Sequence, residues 1–404
     1  MRVRSAKAAV RAVAVGGTVA VGMSFAPAAL AVPATTVAVP CNAATLASDV
    51  AAAGPGQVLS LAGCQYNLSG TLKVNTTLTL RGSRKTTLVG GGSGSKFSIL
   101  TVGPSGDVTT SNVSFNSGYA PTGLGAHGGG AIYNDLGGSV TVNGGTFSSN
   151  TAASTQDGGA IYSDGGTLAI AGATFSGNTA GDGGAVYDES GSPTTSTVNY
   201  STFTGNSSSA ASGEGGAVDI EDTATMDHDQ FSGNTAYYGA AVYVGDGTSF
   251  SVTHSAFTGN GSTGNYEGGG LEIAISDATA SADTFTSNTS QYGGGVYVYD
   301  GPTTLSQDKF SYNTASYYGG AIYSEDTMNL NRSSLVNNSA GEYGGGLYND
   351  DIATLSADAI KGNSAGDDGG GLYNDDDMTL SGVSVTSNTP DNCGPVNSLP
   401  GCVG

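Results

Sequence analysis

Along most of this chain, small, aliphatic and polar residues recur in one fixed order. The word Gly-Gly-(Ala/Gly)-aliphatic-Tyr occupies 129–133, 158–162, 183–187, 293–297, 319–323, 344–348 and 369–373, with altered copies at 215–219, 239–243 and 268–272. Its aliphatic residue, from Ile132 to Leu372, returns at intervals of 29, 25, 32, 24, 29, 25, 26, 25 and 25 residues. A second word, Phe-x-x-Asn, runs from Phe147 to Asn313; its last three copies place Leu335, Ile360 and Val385 in the aromatic position but keep Asn338, Asn363 and Asn388. Between the two words lie short alternating segments such as Val140-Thr141-Val142 and Leu168-Ala169-Ile170. Period-2 alternation broken by Gly, Asn, Ser and Asp predicts three short strands per unit and leaves no room for a helix. A fixed period of this size means stacked units, none able to bury its apolar face without a neighbour. The predicted fold class is therefore all-β, a parallel β-solenoid of about 13 coils.

Alternation also assigns faces. The aliphatic residue of the first word is never polar and points into the coil, so its neighbour points out. That neighbour is Tyr in eight copies and Asp219 or Glu272 in the other two. Two residues further along stand Asp135, Asp164, Glu189, Glu221, Glu325, Asp350 and Asp375. The expectation is a solvent-facing tyrosine column beside a carboxylate column, with rungs about 4.8 Å apart. Two readings follow. Tyr is a good strand former whose rings stack between coils; equally, flat rings flanked by acceptors suit a sugar, which makes Tyr297, Tyr323, Tyr348 and Tyr373 candidate ligand-binding residues. The Asn and Phe columns read as structural, the first passing amide hydrogen bonds along the stack and the second filling the core.

The two ends differ from the body. Arg2, Arg4, Lys7 and Arg11 precede the apolar run Ala12–Phe25 and a small-residue cleavage site at Ala29-Leu30-Ala31, so 1–31 reads as a secretory signal peptide and the product as secreted. Residues 32–126 read as a cap and irregular first coils, with leucine and valine at helical spacing in 42–53 suggesting a short capping helix. The repeat coils cover 127–390 and a tail covers 391–404. Cys41 and Cys64 lie before the repeats, Cys393 and Cys402 after them. An even count in an exported chain predicts disulfides, and sequence-local pairing staples each end of the stack. No second apolar run is long enough to span a bilayer, and the protein is expected to be a monomer.

Composition alters one inference and charge adds another. With 67 Gly, no Trp and 38% hydrophobic residues, a non-repeating chain would be expected to stay disordered; a solenoid, whose thin core needs few large residues per coil, escapes that limit. The net charge of −21 becomes −25 once the four basic residues of the leader are removed, which disfavours nucleic acid and anionic membrane surfaces. Carboxylates one rung apart repel by about 0.8 kcal/mol in bulk water and by more near a protein surface. The acidic column therefore invites a cation. Asp350, Asp351, Asp375 and Asp376 form the densest group and are the candidate Ca²⁺ ligands; no other cofactor is expected.

The paired words resemble the repeat of the polymorphic outer membrane protein family, and the opening coils resemble right-handed β-helix proteins of the pectin-lyase-like superfamily. The resemblance spans about 260 residues. It implies a right-handed parallel β-helix and a surface or adhesive setting. The carboxy-terminal membrane barrel of autotransported members has no counterpart among the alternating segments here. The sequence-based reading of function is a non-catalytic, cell-surface or matrix binding protein directed at glycans. The alternative is a polysaccharide lyase or glycosidase. For that, Lys309, Arg332 and Lys361 sit near one column in three consecutive coils, and His228 and His254 share another column with Asp227 and Asp229 beside them. An enzyme would need a cleft walled by long loops, yet the insertions at 151–156, 190–195 and 259–266 are short.

Overall fold

The computed structural model describes residues 34–122, 128–189, 195–245, 249–262, 267–275, 277–395 and 399–402. The expected signal peptide, 1–31, and the insertion residues 190–194 and 263–266 lie outside them. Residues 35–404 make one unit.

One coil runs through Ser139–Asn143, Thr146–Ser148, Thr151–Ala152 and Ile161–Asp164. The next coil lies parallel on it in register, Val140 over Leu168, Phe147 over Phe175, Thr151 over Thr179 and Ile161 over Val186. Repetition gives sheets of 14, 13, 13 and 9 strands. The chain is thus an all-β parallel solenoid of about 13 turns. Four strand positions per coil replace the three expected. The additional sheet is built from pieces such as Thr179–Ala180, which follow the recurring Asn directly and are too short to display alternation. Its alanines Ala120, Ala152 and Ala180 pack on one another in a small core of their own.

Side-chain columns hold the coils together. Phe115, Phe147, Phe175, Phe203, Phe231, Phe257, Phe285 and Phe310 stack with centroids 4.6–4.9 Å apart inside the main core, and Leu335 and Ile360 continue the column. The next corner carries an asparagine ladder. Asn288 is typical: its Oδ1 accepts from the backbone N–H and the Nδ2 of Asn260, while its own Nδ2 donates to Phe257 O and to Asn313 Oδ1, all at 3.0 Å. An amide suits this corner because one side chain must accept from one coil and donate to the next. The pattern runs from Asn150 to Asn388.

The amino-terminal end is closed by the helix Ala43–Ala51, which packs on the first coils. Asn42 caps it by accepting from Thr45 N–H, and Leu46 and Val50 are its buried residues. Disulfides Cys41–Cys64 and Cys393–Cys402 staple the two ends, with the pairing expected from sequence proximity.

Candidate functional site

The turn that carries the Gly-Gly word is the most differentiated part of the coil. The first glycine has φ of 52–69° in all ten copies. At Gly319 a Cβ would also lie 2.2 Å from Ile322 O, so the chain doubles back on itself there and only glycine fits. The second glycine faces the next coil: a Cβ on Gly320 would lie 2.3 Å from Gly345 O. The turn therefore brings two columns together. One is the residue before the word, namely Asp157, Asp182, Glu214, Tyr238, Glu267, Tyr292, Tyr318, Tyr343 and Asp368. The other is the residue after its aliphatic position.

That second column points away from the main core, as alternation requires, but it is not open to solvent. Tyr297, Tyr323 and Tyr348 are 2%, 6% and 7% exposed, and Tyr162 is equally buried; Tyr133, Tyr187, Tyr243 and Tyr373 are half-buried. The expected solvent-facing position of the candidate ligand residues Tyr297, Tyr323 and Tyr348 is thereby corrected. Their rings stack on one another, Tyr297 on Tyr323 at 5.2 Å and Tyr348 on Tyr373 at 5.1 Å. The first column then covers them, Tyr318 lying on Tyr348 at 4.8 Å and Tyr343 against Tyr373 at 4.7 Å. Alternation reports only which side of a strand a residue leaves by; it does not reveal that the turn folds a second tyrosine layer over it. Hydroxyls reach the expected carboxylate column, Tyr348 donating to Asp375 Oδ2 at 3.4 Å and Tyr162 to Glu189. Burial, reinforced by those acids, raises the hydroxyl pKa values. What remains accessible is the outer layer: Tyr292, Tyr318 and Tyr343 half-buried, Tyr317 and Tyr299 exposed, and Glu342 beside Tyr318.

Where the tyrosine columns fail, acids take their place. Glu214, Asp219 and Glu221 stand on one rung with ligand oxygens within 4.8 Å of one another. Asp219 is fully buried, and neither of its carboxylate oxygens has a hydrogen-bond partner among the described residues. Burial first, then the charges of Glu221 and Glu214, push its pKa well above the ordinary range. Two coils on, Glu272 occupies the same column, buried and accepting from Gly239 N–H at 2.8 Å. Between them lies a depression of about 380 Å³ lined by Glu214, Tyr238, Tyr243, Glu267, Glu272 and Tyr299. In the sequence the signal is the pair of departures from Tyr in this column, Asp219 and Glu272.

A second set of buried acids had no legible signal. In the corner before the Phe column, Ser201, Asp229, Ser255, Asp283, Asp308, Ser333 and Asp358 each accept from the backbone N–H of the coil before; Asp283 N–H, for example, donates to Asp308 Oδ1 at 2.8 Å. Burial raises Asp229 and Asp283 to about 8, Asp308 to about 7 and Asp358 to about 6. Asp229 is thus separated from the histidines it was expected to join. His228 and His254 do stack at 4.7 Å, and Asp227 lies 2.8 Å and 3.3 Å from their Nδ1 atoms. Lys309, Arg332 and Lys361 are exposed, but in three different columns: a strand position before Phe310, a left-handed corner and a strand position after Ile360. Asp350 and Asp375 occupy adjacent rungs, yet among the described residues no three ligand atoms of the Asp350, Asp351, Asp375 and Asp376 group meet within 4.8 Å.

Comparison with curated proteins gives no match, and comparison with solved structures gives none either. No helix among the described residues is long and apolar enough to cross a membrane. Three segments, 144–164, 172–189 and 309–325, match the model of the Chlamydia polymorphic membrane protein repeat. Each runs from the corner or strand of the Phe column to the outer acid of the Gly-Gly word, so the matched unit is the turn just described, and the chain is a β-solenoid that carries this repeat.

Proposed function

We propose that this chain is a surface-displayed binding protein that engages glycans through the outer tyrosine layer. The observation that carries the reading is the row Tyr292, Tyr317, Tyr318 and Tyr343, where Tyr292 and Tyr317 stack at 5.7 Å and 21° and Glu342 adjoins Tyr318. Flat apolar rings with adjacent carboxylate acceptors match the alternating apolar faces and hydroxyl rims of a sugar chain, and successive coils repeat the motif along its length. Display at a surface is supported by the similarity to a membrane-protein repeat. The test is retention of the protein by insoluble polysaccharides and on a glycan array. Tyr292→Ser, Tyr317→Ser and Tyr343→Ser combined are expected to abolish retention in a protein that still melts cooperatively, at a lower temperature because Tyr292 and Tyr343 pack on the inner tyrosines. Retention that survives the triple replacement, or a wild-type protein that no glycan holds, overturns the reading.

A further inference from the structure

We propose that Glu214, Asp219 and Glu221 form a binding site for one divalent cation, for which Ca²⁺ is the best chemical match. Three independent features converge on this rung. Geometry is the first: two ligands of Ca²⁺, each 2.3–2.6 Å from the ion, lie at most about 5 Å apart, and one oxygen from each of these three carboxylates lies within 4.8 Å of the other two.

The second is Asp219 itself. It is completely buried, both its oxygens lack a hydrogen-bond partner among the described residues, and from Tyr133 to Tyr373 the column it interrupts is otherwise tyrosine except at Glu272. A buried carboxylate is retained when it is paired, hydrogen-bonded or bound to a metal. Glu272 shows the hydrogen-bonded solution in the same column. Asp219 lacks it.

The third feature is charge. Asp157, Asp182, Glu214 and Glu221 all act on Asp219, and from Phe97 to Asp308 the sequence contains neither Lys nor Arg. No lysine or arginine of these coils answers the cluster. The donor set is all oxygen, which selects a hard ion over Zn²⁺ or copper. Ca²⁺ takes six to eight ligands, commonly including water, and the adjoining depression lined by Glu214, Glu267 and Tyr299 gives water access to the rung. Gly245 enters the same argument. On the next coil a Cβ at this position would lie 2.4 Å from Glu221 Oε1, so the missing side chain makes room for that carboxylate to lie over the rung.

Terbium is a suitable probe because tyrosines flank the site, Tyr187 and Tyr243 lying one coil before and after Asp219 in the same column. Tyrosine-sensitised Tb³⁺ emission, titrated into the mature protein and competed with Ca²⁺, is expected to saturate at one ion per chain. Asp219→Asn is expected to weaken binding at least ten-fold, and Asp219→Tyr, which completes the column, to abolish it in a protein that still melts cooperatively. Asp351→Asn with Asp376→Asn is expected to leave it unchanged. Ca²⁺ should raise the melting temperature of the parent but not of Asp219→Tyr. The site is overturned if no Ca²⁺-displaceable emission saturates, if Asp219→Asn binds as the parent does, or if only the Asp351/Asp376 variant loses the ion. None of these outcomes depends on whether a glycan binds.

Discussion

Asn288 shows how much one residue does in a coil this thin. It satisfies a backbone N–H and an amide on one side, and a carbonyl and an amide on the other. Removing it strands groups that no water can reach, since Asn260, Asn288 and Asn313 are all fully buried. Each buried polar group left unpaired costs about 1–3 kcal/mol. Asn288→Ala is therefore expected to destabilise by about 3 kcal/mol or more, and Asn288→Asp by no less, because a carboxylate cannot donate to Phe257 O. Urea denaturation of the three proteins checks this. An Asp variant as stable as the parent would mean that the donor half of the ladder contributes nothing. The tyrosines give the opposite lesson. Alternation places Tyr323 on the side opposite its buried neighbour Ile322, and it does leave by that side, yet the tyrosine ends up 6% exposed beneath Tyr292 and Tyr318.

At the level of elements, the corner ladder of Ser201, Asp229, Ser255, Asp283, Asp308, Ser333 and Asp358 couples stability to pH. Its acids titrate in the fold at about 6 to about 8, against about 3.9 in an unfolded chain. Between those limits the folded state binds more protons than the unfolded one, so stability falls as pH rises from about 4 to about 8 and levels off above that range. The melting temperature is expected to be highest near the acid end of that window. Asp308→Asn keeps an acceptor for Asp283 N–H and removes one charge, so it should flatten the profile and stabilise at pH 8 by about 1–3 kcal/mol. A melting temperature that rises steadily from pH 5 to pH 8 would refute the assignment. The contrast between the two corners explains what the sequence could disclose. The Asn column repeats one residue type at every rung from Asn150 to Asn388, and a period makes that visible. The Ser/Asp column mixes two types in a chain that is acidic throughout, so no period sets Asp229 and Asp283 apart. The short Thr179–Ala180 strand type escaped for another reason, having too few residues to show a period of two.

Within the solenoid unit, about thirteen rungs at about 4.8 Å stack to roughly 60 Å, and each coil touches only its neighbours. Stability in such an array is a sum of local and nearest-neighbour terms, so its ends fray first. The sequence already showed where the ends are guarded, since all four cysteines lie outside the repeats. The purpose of the cap is clear in the structure: the helix Ala43–Ala51 lies over the first coils, and Cys41–Cys64 ties its leading edge to them across 23 residues. Closing a loop of that size contributes about 3 kcal/mol. In a globular domain this contribution would be shared by every element. Here it should stay local. Reduction of both disulfides is therefore expected to increase amide exchange in the first coils, around Thr36–Val39 and Gln57–Leu61, and in the last, around Asp377–Ser381. Exchange in the coils from Phe203 to Phe285 should remain as slow as before. Mass spectrometry of exchanged peptides, with and without reductant, reads this directly. A uniform rise along the chain would mean that the solenoid unfolds as one cooperative body, and the nearest-neighbour account would fail with it.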